Sequence, residues 1–118
     1  MPFNPKDFLK LAQDLTNDSN YNYESAFRTS ISRAYYAAFL WCRTWLESLG
    51  IVFPLTQDAH AMVIRELRAK RRYMPADALK NLRKHGRNMA DYDLRITVSK
   101  GNVLTWLQMT EYVMNSVP

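Results

Sequence analysis

Apolar residues recur at steps of three and four along most of this chain, and no stretch reads convincingly as a strand. The longest pattern runs from Tyr23 to Gly50. There Phe27, Ile31, Ala34, Tyr35, Ala38, Cys42, Trp45, Leu46 and Leu49 mark one face of a helix with no internal Pro or Gly. At 1.5 Å per residue it would be roughly 40 Å long, and Gly50 suits the left-handed stop after its last turn. Every other element is expected to pack along it. A second row, Arg28, Ser32, Tyr36, Phe39 and Arg43, recurs at the same spacing beside the first. It is either a solvated flank whose aromatics finish the core or a second contact surface, for another copy of the chain or for a ligand.

Shorter patterns flank this helix. Asn4 before Pro5 reads as an N-cap with proline at the first helical position, followed by Phe8, Leu9, Ala12 and Leu15 and a turn at Asn17-Asp18-Ser19-Asn20. Ile51 to Leu55 reads as an apolar connector that Pro54 keeps out of helix and that folds onto the core. A third helix starts at Thr56 or Asp58, buries Ala59, Val63 and Leu67 with His60 and Ile64 beside them, and ends in Lys70-Arg71-Arg72. A fourth starts near Pro75 and, if it continues through Gly86 to Tyr92, sorts into three faces. Ala78, Leu79, Leu82, Met89 and Ala90 would be buried, and Lys80, Arg83, Lys84, Arg87 and Asp91 would form a charged face opposite. His85, Asn88 and Tyr92 would align along one edge. Gly86 weakens that helix by on the order of 1 kcal/mol relative to Ala, so a break there is open. Ser99 caps a last helix with Val103, Trp106, Leu107, Thr110, Val113 and Met114 on one side. The sum is an all-α chain, an antiparallel bundle of four or five helices in a single domain spanning residues 1–118.

Charge changes this picture more than composition does. Of the formal net +5, the segment from Arg65 to Arg87 holds nine basic residues against Glu66 and Asp77, a net +7, and the remaining seven basic and nine acidic residues leave −2. A concentration of that kind is either an electrostatic footprint for a polyanion or a solvated basic turn. A single Cys excludes an internal disulfide, and Cys42 falls in the apolar stripe, which suggests a reducing compartment. No basic head and apolar run open the chain, and the longest uncharged apolar run, Ala34 to Cys42, is short of the roughly 20 residues of a membrane span. A cytoplasmic protein with no membrane partner is expected.

Two His and one Cys give no recognised zinc spacing, and no Gly-rich loop can cradle phosphates. Asp91 and Asp93 would diverge by about 200° on a helix, so they are no ready carboxylate pair. Neither metal nor cofactor is expected. The remaining set of His, Arg, Asn and Tyr near a basic segment suits phosphodiester chemistry or RNA binding.

Glu24, Arg28 and the run Arg33-Ala34-Tyr35-Tyr36-Ala37-Ala38-Phe39, together with Arg87-Asn88-Met89-Ala90-Asp91-Tyr92, resemble the HEPN family, the higher eukaryotes and prokaryotes nucleotide-binding domain. The resemblance covers nearly the whole chain. It implies a helical bundle that dimerises, with polar residues of two subunits around a shared cleft. Many members of that family are metal-independent endoribonucleases, often toxins encoded beside a nucleotidyltransferase antitoxin, or parts of antiviral systems. Their ribonuclease motif is Arg, a polar residue, three to five further residues, and His. Arg87 and Asn88 match its opening, whereas Tyr92 and Asp93 stand where the His is expected. Imidazole titrates near neutrality, and an unperturbed Tyr, near pH 10, is a poor base. The chain resembles the subgroup whose motif reads Ala-Asp-Tyr. His60 matches a His common on the third helix of that subgroup.

Three functional expectations follow. The first is a homodimer binding RNA or a nucleotide at its cleft, as the toxin-like half of a toxin–antitoxin or defence module, with Arg87, Asn88, Asp91 and Tyr92 lining the cleft and Arg28, Arg33 and Tyr36 supporting them. The second is an active metal-independent endoribonuclease with Arg87 as phosphate clamp and His85 or Tyr92 in proton transfer. The third is a non-catalytic interaction module in which Arg87 and Asp91 form an i,i+4 ion pair.

Overall fold

The computed structural model describes residues 3–118, and every regular element among them is helical. In order these are α1 (Lys6–Asn17), a single 3-10 turn (Ser19–Tyr21), α2 (Glu24–Ser48), α3 (Asp58–Ala69), α4 (Tyr73–Asn81), a π-helical segment (Leu82–Arg87), α5 (Asn88–Tyr92) and α6 (Lys100–Ser116).

The apolar stripe of α2 explains its central place. Its 25 residues, about 38 Å at helical rise, nearly match the longest dimension of the molecule, 42 Å. Ile31, Ala34, Tyr35, Ala38, Cys42 and Leu46 are all fully enclosed, and α2 packs against every other α-helix and the π segment. Burial pushes the Cys42 thiol up to about 12, so it acts as a small hydrophobe. The second row on α2 is covered as well: Ser32 and Phe39 are buried and Tyr36 is half-buried. Gly50 takes φ +92°. The Gly50 and Ile51 amides donate to Glu47 and Leu46 at 3.0 and 3.3 Å, closing a Schellman stop.

Other ends follow the same local chemistry. Asn4 Oδ1 accepts from the Lys6 amide at 3.0 Å, and Pro5 already has helical dihedrals. Ser99 and Asn102 form a reciprocal capping box at the start of α6. At the end of α3, Arg71 occupies the left-handed position at φ 62° that Gly50 fills at the end of α2.

Two expectations are corrected. The connector is not folded wholly onto the core. Its backbone is irregular, with Phe53 buried while Val52 and Leu55 are 85% and 94% exposed. The helix through Gly86 is unbroken, yet it is not a regular α-helix. Helical dihedrals continue from Asn81 through Asn88, but the turn over 82–87 is π-wound. Widening by about one residue rotates all that follows by about 100° relative to what precedes.

Gly86 lies at the centre of that turn because Trp106 of α6 packs against it: a Cβ there would stand 3.2 Å from the indole ring. The buried line is therefore Leu79, Leu82, Gly86 and Ala90. Arg83 and Arg87, expected on a face opposite the core, are half-buried instead. No helix among the described residues is long and apolar enough to cross a membrane.

Candidate functional site

The π turn faces Arg87 toward α2. Its guanidinium lies over the Tyr36 ring at 5.5 Å and over the Tyr92 ring at 5.4 Å. Nη1 donates to Asn88 Oδ1 at 3.0 Å and Nη2 to the Tyr92 hydroxyl at 3.5 Å. Nε stands 3.1 Å from Asp91 Oδ2, an ion pair at an angle too poor for a hydrogen bond, so the buried Nε–H has no acceptor. Asp91 is held from its other side by the Ser32 hydroxyl, which donates to Oδ2 at 3.2 Å. Arg33 donates to Ser32 Oγ at 3.4 Å and also lies over Tyr36, 5.0 Å from the ring centre. Of the residues expected from sequence, Arg87, Asn88, Asp91, Tyr92, Tyr36 and Arg33 are thus brought together.

Arg28 is differently engaged. Its donors reach Glu24 Oε1, the carbonyls of Met89 and Ala90, and the carbonyl of Ile96. Glu24 Oε1 also accepts from the Val98 amide at 3.1 Å. That bond, with Arg28 next to it, holds the Glu24 carboxyl below its usual range. Arg28 thereby ties α2 to the C-terminal turn of α5 and to the 93–99 link, supporting the site from behind. His85 is exposed and carries none of the hydrogen bonds, ion pairs or ring contacts of the cluster. The edge expected to hold it with Asn88 and Tyr92 assumed regular α geometry, and the π turn breaks that alignment.

Two groups not counted among the site residues complete the picture. Arg83 is half-buried, its Nε–H is enclosed without a hydrogen-bond partner, and no carboxylate of the described residues pairs with it. The second is His60, stacked on Phe39 at 4.3 Å with Nδ1 hydrogen-bonded to the Tyr35 hydroxyl. Burial, then Arg83, Arg87 and Arg43, push its pKa down to about 4, which keeps the ring neutral near pH 7. Burial raises the Tyr35 phenol above its ordinary value. Arg83 had a sequence signal, its i,i+4 spacing from Arg87 within the basic segment.

Beside this cluster a cleft of about 400 Å³ opens between α3 and the 73–92 run, with Ala61 and Ile64 as its apolar wall. Arg68, Lys80, Arg83 and Lys84 supply four cations to it, and Asn88 joins it to the Arg87 cluster. Arg68 is paired with Asp77, whereas Lys80 and Lys84 have no carboxylate partner among the described residues. The cleft therefore carries excess positive charge, which attracts anions. Among the described residues no group of three or more His, Cys, Asp or Glu could hold a metal ion.

No protein-family model matches the chain, and no curated protein or solved structure does either.

Proposed function

We propose that this chain is a HEPN-like antiparallel bundle that binds RNA through its phosphates at the Arg83–Arg87 cleft. It acts as a homodimer and as the toxin-like half of a two-gene module with a nucleotidyltransferase antitoxin. The observation that carries the phosphate reading is a shortage of counter-charge at two half-buried guanidinium groups: Arg83 has no carboxylate partner among the described residues and Arg87 has one, Asp91, while the Nε–H of each is enclosed without an acceptor. A phosphate at the cleft would supply that counter-charge and accept charge-assisted hydrogen bonds from the cations around it. Exposed aromatic and apolar side chains beside the cations favour a nucleic acid over a free anion and suit a second subunit closing the cleft. Tyr92 and Leu94, 69% and 86% exposed, are the nearest of these along the chain.

Cleavage is not part of this proposal. Arg87 suits a phosphate clamp, but His85 makes none of the cluster's contacts and the Tyr92 hydroxyl is engaged by Arg87 itself. RNA cleavage by the pure protein that vanishes in Arg87→Ala would reinstate the enzyme reading.

The test is fluorescence anisotropy of a short labelled single-stranded RNA over a range of salt. Affinity should fall as salt rises, with a log–log slope of about −0.7 for each phosphate neutralised. Arg83→Ala and Arg87→Ala should each weaken binding about tenfold or more. Absence of binding at low salt, or parental affinity in both variants, would sink the reading.

A further inference from the structure

Tyr35 is fully enclosed, and its hydroxyl meets a single polar partner, Nδ1 of His60. A phenol carries one O–H. If Nδ1 held a proton and donated it, the Tyr35 O–H would be left in the core with no acceptor among the described residues, at a cost of about 1–3 kcal/mol. The Tyr35 O–H therefore donates to Nδ1, and the remaining proton of the neutral ring sits on Nε2. Fixed in this way, the imidazole offers a donor and no free lone pair, so it is unsuited to act as a base.

We propose that His60, locked in its Nε2–H tautomer by Tyr35, is the third anion-contacting group of the site and donates to the same phosphate as Arg83 and Arg87. The inference rests on the phosphate-binding reading above. Stacking on Phe39 and Tyr35 fixes the plane of the ring. The ring also lies edge-on to Tyr36 with centroids 6.1 Å apart, and that same Tyr36 ring carries the Arg87 guanidinium at 5.5 Å. One turn further along α3, Ile64 lines the cleft with Arg83. His60 is only half-buried, next in sequence to Ala61 of the cleft wall.

The titratable and charged groups around the ring are Tyr35, Tyr36 and Arg43 from α2, with Arg83 and Arg87 from the π segment. Three of the five are cations. A neutral donor adds a bond to the phosphate without adding a fourth like charge, which a Lys or Arg at this position would do.

Long-range proton–nitrogen NMR of the parent protein reads the tautomer directly, before and during titration with the short RNA. The expected spectrum shows Nε2 protonated, with its resonance moving in step with the Arg83 and Arg87 side-chain signals. In anisotropy, His60→Ala should lose about tenfold in affinity. His60→Gln, whose amide can present an N–H near the Nε2 position, should stay within a few-fold of the parent. An Nδ1–H tautomer overturns the proposal, as does a folded His60→Ala with parental affinity while Arg83→Ala is impaired. If Arg83→Ala and Arg87→Ala bind RNA normally, the phosphate site itself is what fails. Should His60→Ala not fold, the parent's tautomer and its response to RNA decide the matter.

Discussion

Replacing Arg28 tests whether this residue holds the site together. The carbonyls of Met89 and Ala90 belong to the last turn of α5; the first already accepts from the Asp93 amide at 3.0 Å, and Arg28 Nη1 donates to the two at 3.3 and 3.0 Å. Nη2 donates to Ile96 at 2.8 Å, and the side chain is 16% exposed. A hydrogen bond from a charged donor contributes about 1.5–3 kcal/mol, and a cation at a helix C-terminus adds about 0.3–1 kcal/mol. The 3.3 Å bond is long and the Ile96 contact is exposed, so we discount both and expect Arg28→Met to cost about 3 kcal/mol. Met retains the aliphatic packing, which confines the loss to the polar contacts. Urea unfolding followed by circular dichroism measures it, with an unchanged slope needed for a two-state comparison. A loss below about 1 kcal/mol would refute the assigned role and return Arg28 to the pool of cations free for RNA.

Three further outcomes are expected. His60 has a pKa of about 4 when folded and about 6.5 when unfolded, so between those values the unfolded chain binds more protons and stability rises with pH. The contribution is complete above about pH 6.5 and is lost as pH falls toward 4; after discounting for partial exposure, about 1 kcal/mol should disappear between pH 7 and 5, less so in His60→Gln. Equal pH dependence in parent and variant would contradict it. Thr110 is fully enclosed and its hydroxyl has no partner among the described residues, so Thr110→Val should raise the urea midpoint by the equivalent of about 1 kcal/mol. Arg71→Gly should stabilise by up to about 1 kcal/mol by relieving the left-handed backbone at φ 62°, and a loss in thermal melting would contradict that.

The helices were legible because their signals are local. Spacing along α2, the Gly50 stop and the Ser99 cap each need only a few neighbouring residues. The π turn was not legible: Leu79, Leu82, Gly86 and Ala90 sit at ordinary helical spacing, and the widening shows only in where the flanking residues point. Its consequence is the difference between an Arg87 opposite the core and an Arg87 against Tyr36. For the same reason His85 was grouped with Asn88 and Tyr92. Helical position puts Arg28 in one row with Ser32 and Tyr36 and at i,i+4 from Glu24, but its other partners are backbone carbonyls more than 60 positions away, which no side-chain pattern encodes. Val52 and Leu55 differ from expectation because the connector is irregular, with no helical or strand period to carry every apolar side chain of the run onto the core.

The central claim is that phosphate binds at Arg83 and Arg87. Titrating the isotopically labelled protein with short RNA, while following the arginine Nε–H resonances, tests it most directly. The account predicts that the Arg83 and Arg87 signals move first and saturate together, with Arg28 and His85 little changed. Movement of Arg28 or His85 ahead of them, or saturation by RNA with both Nε–H signals still, would contradict it.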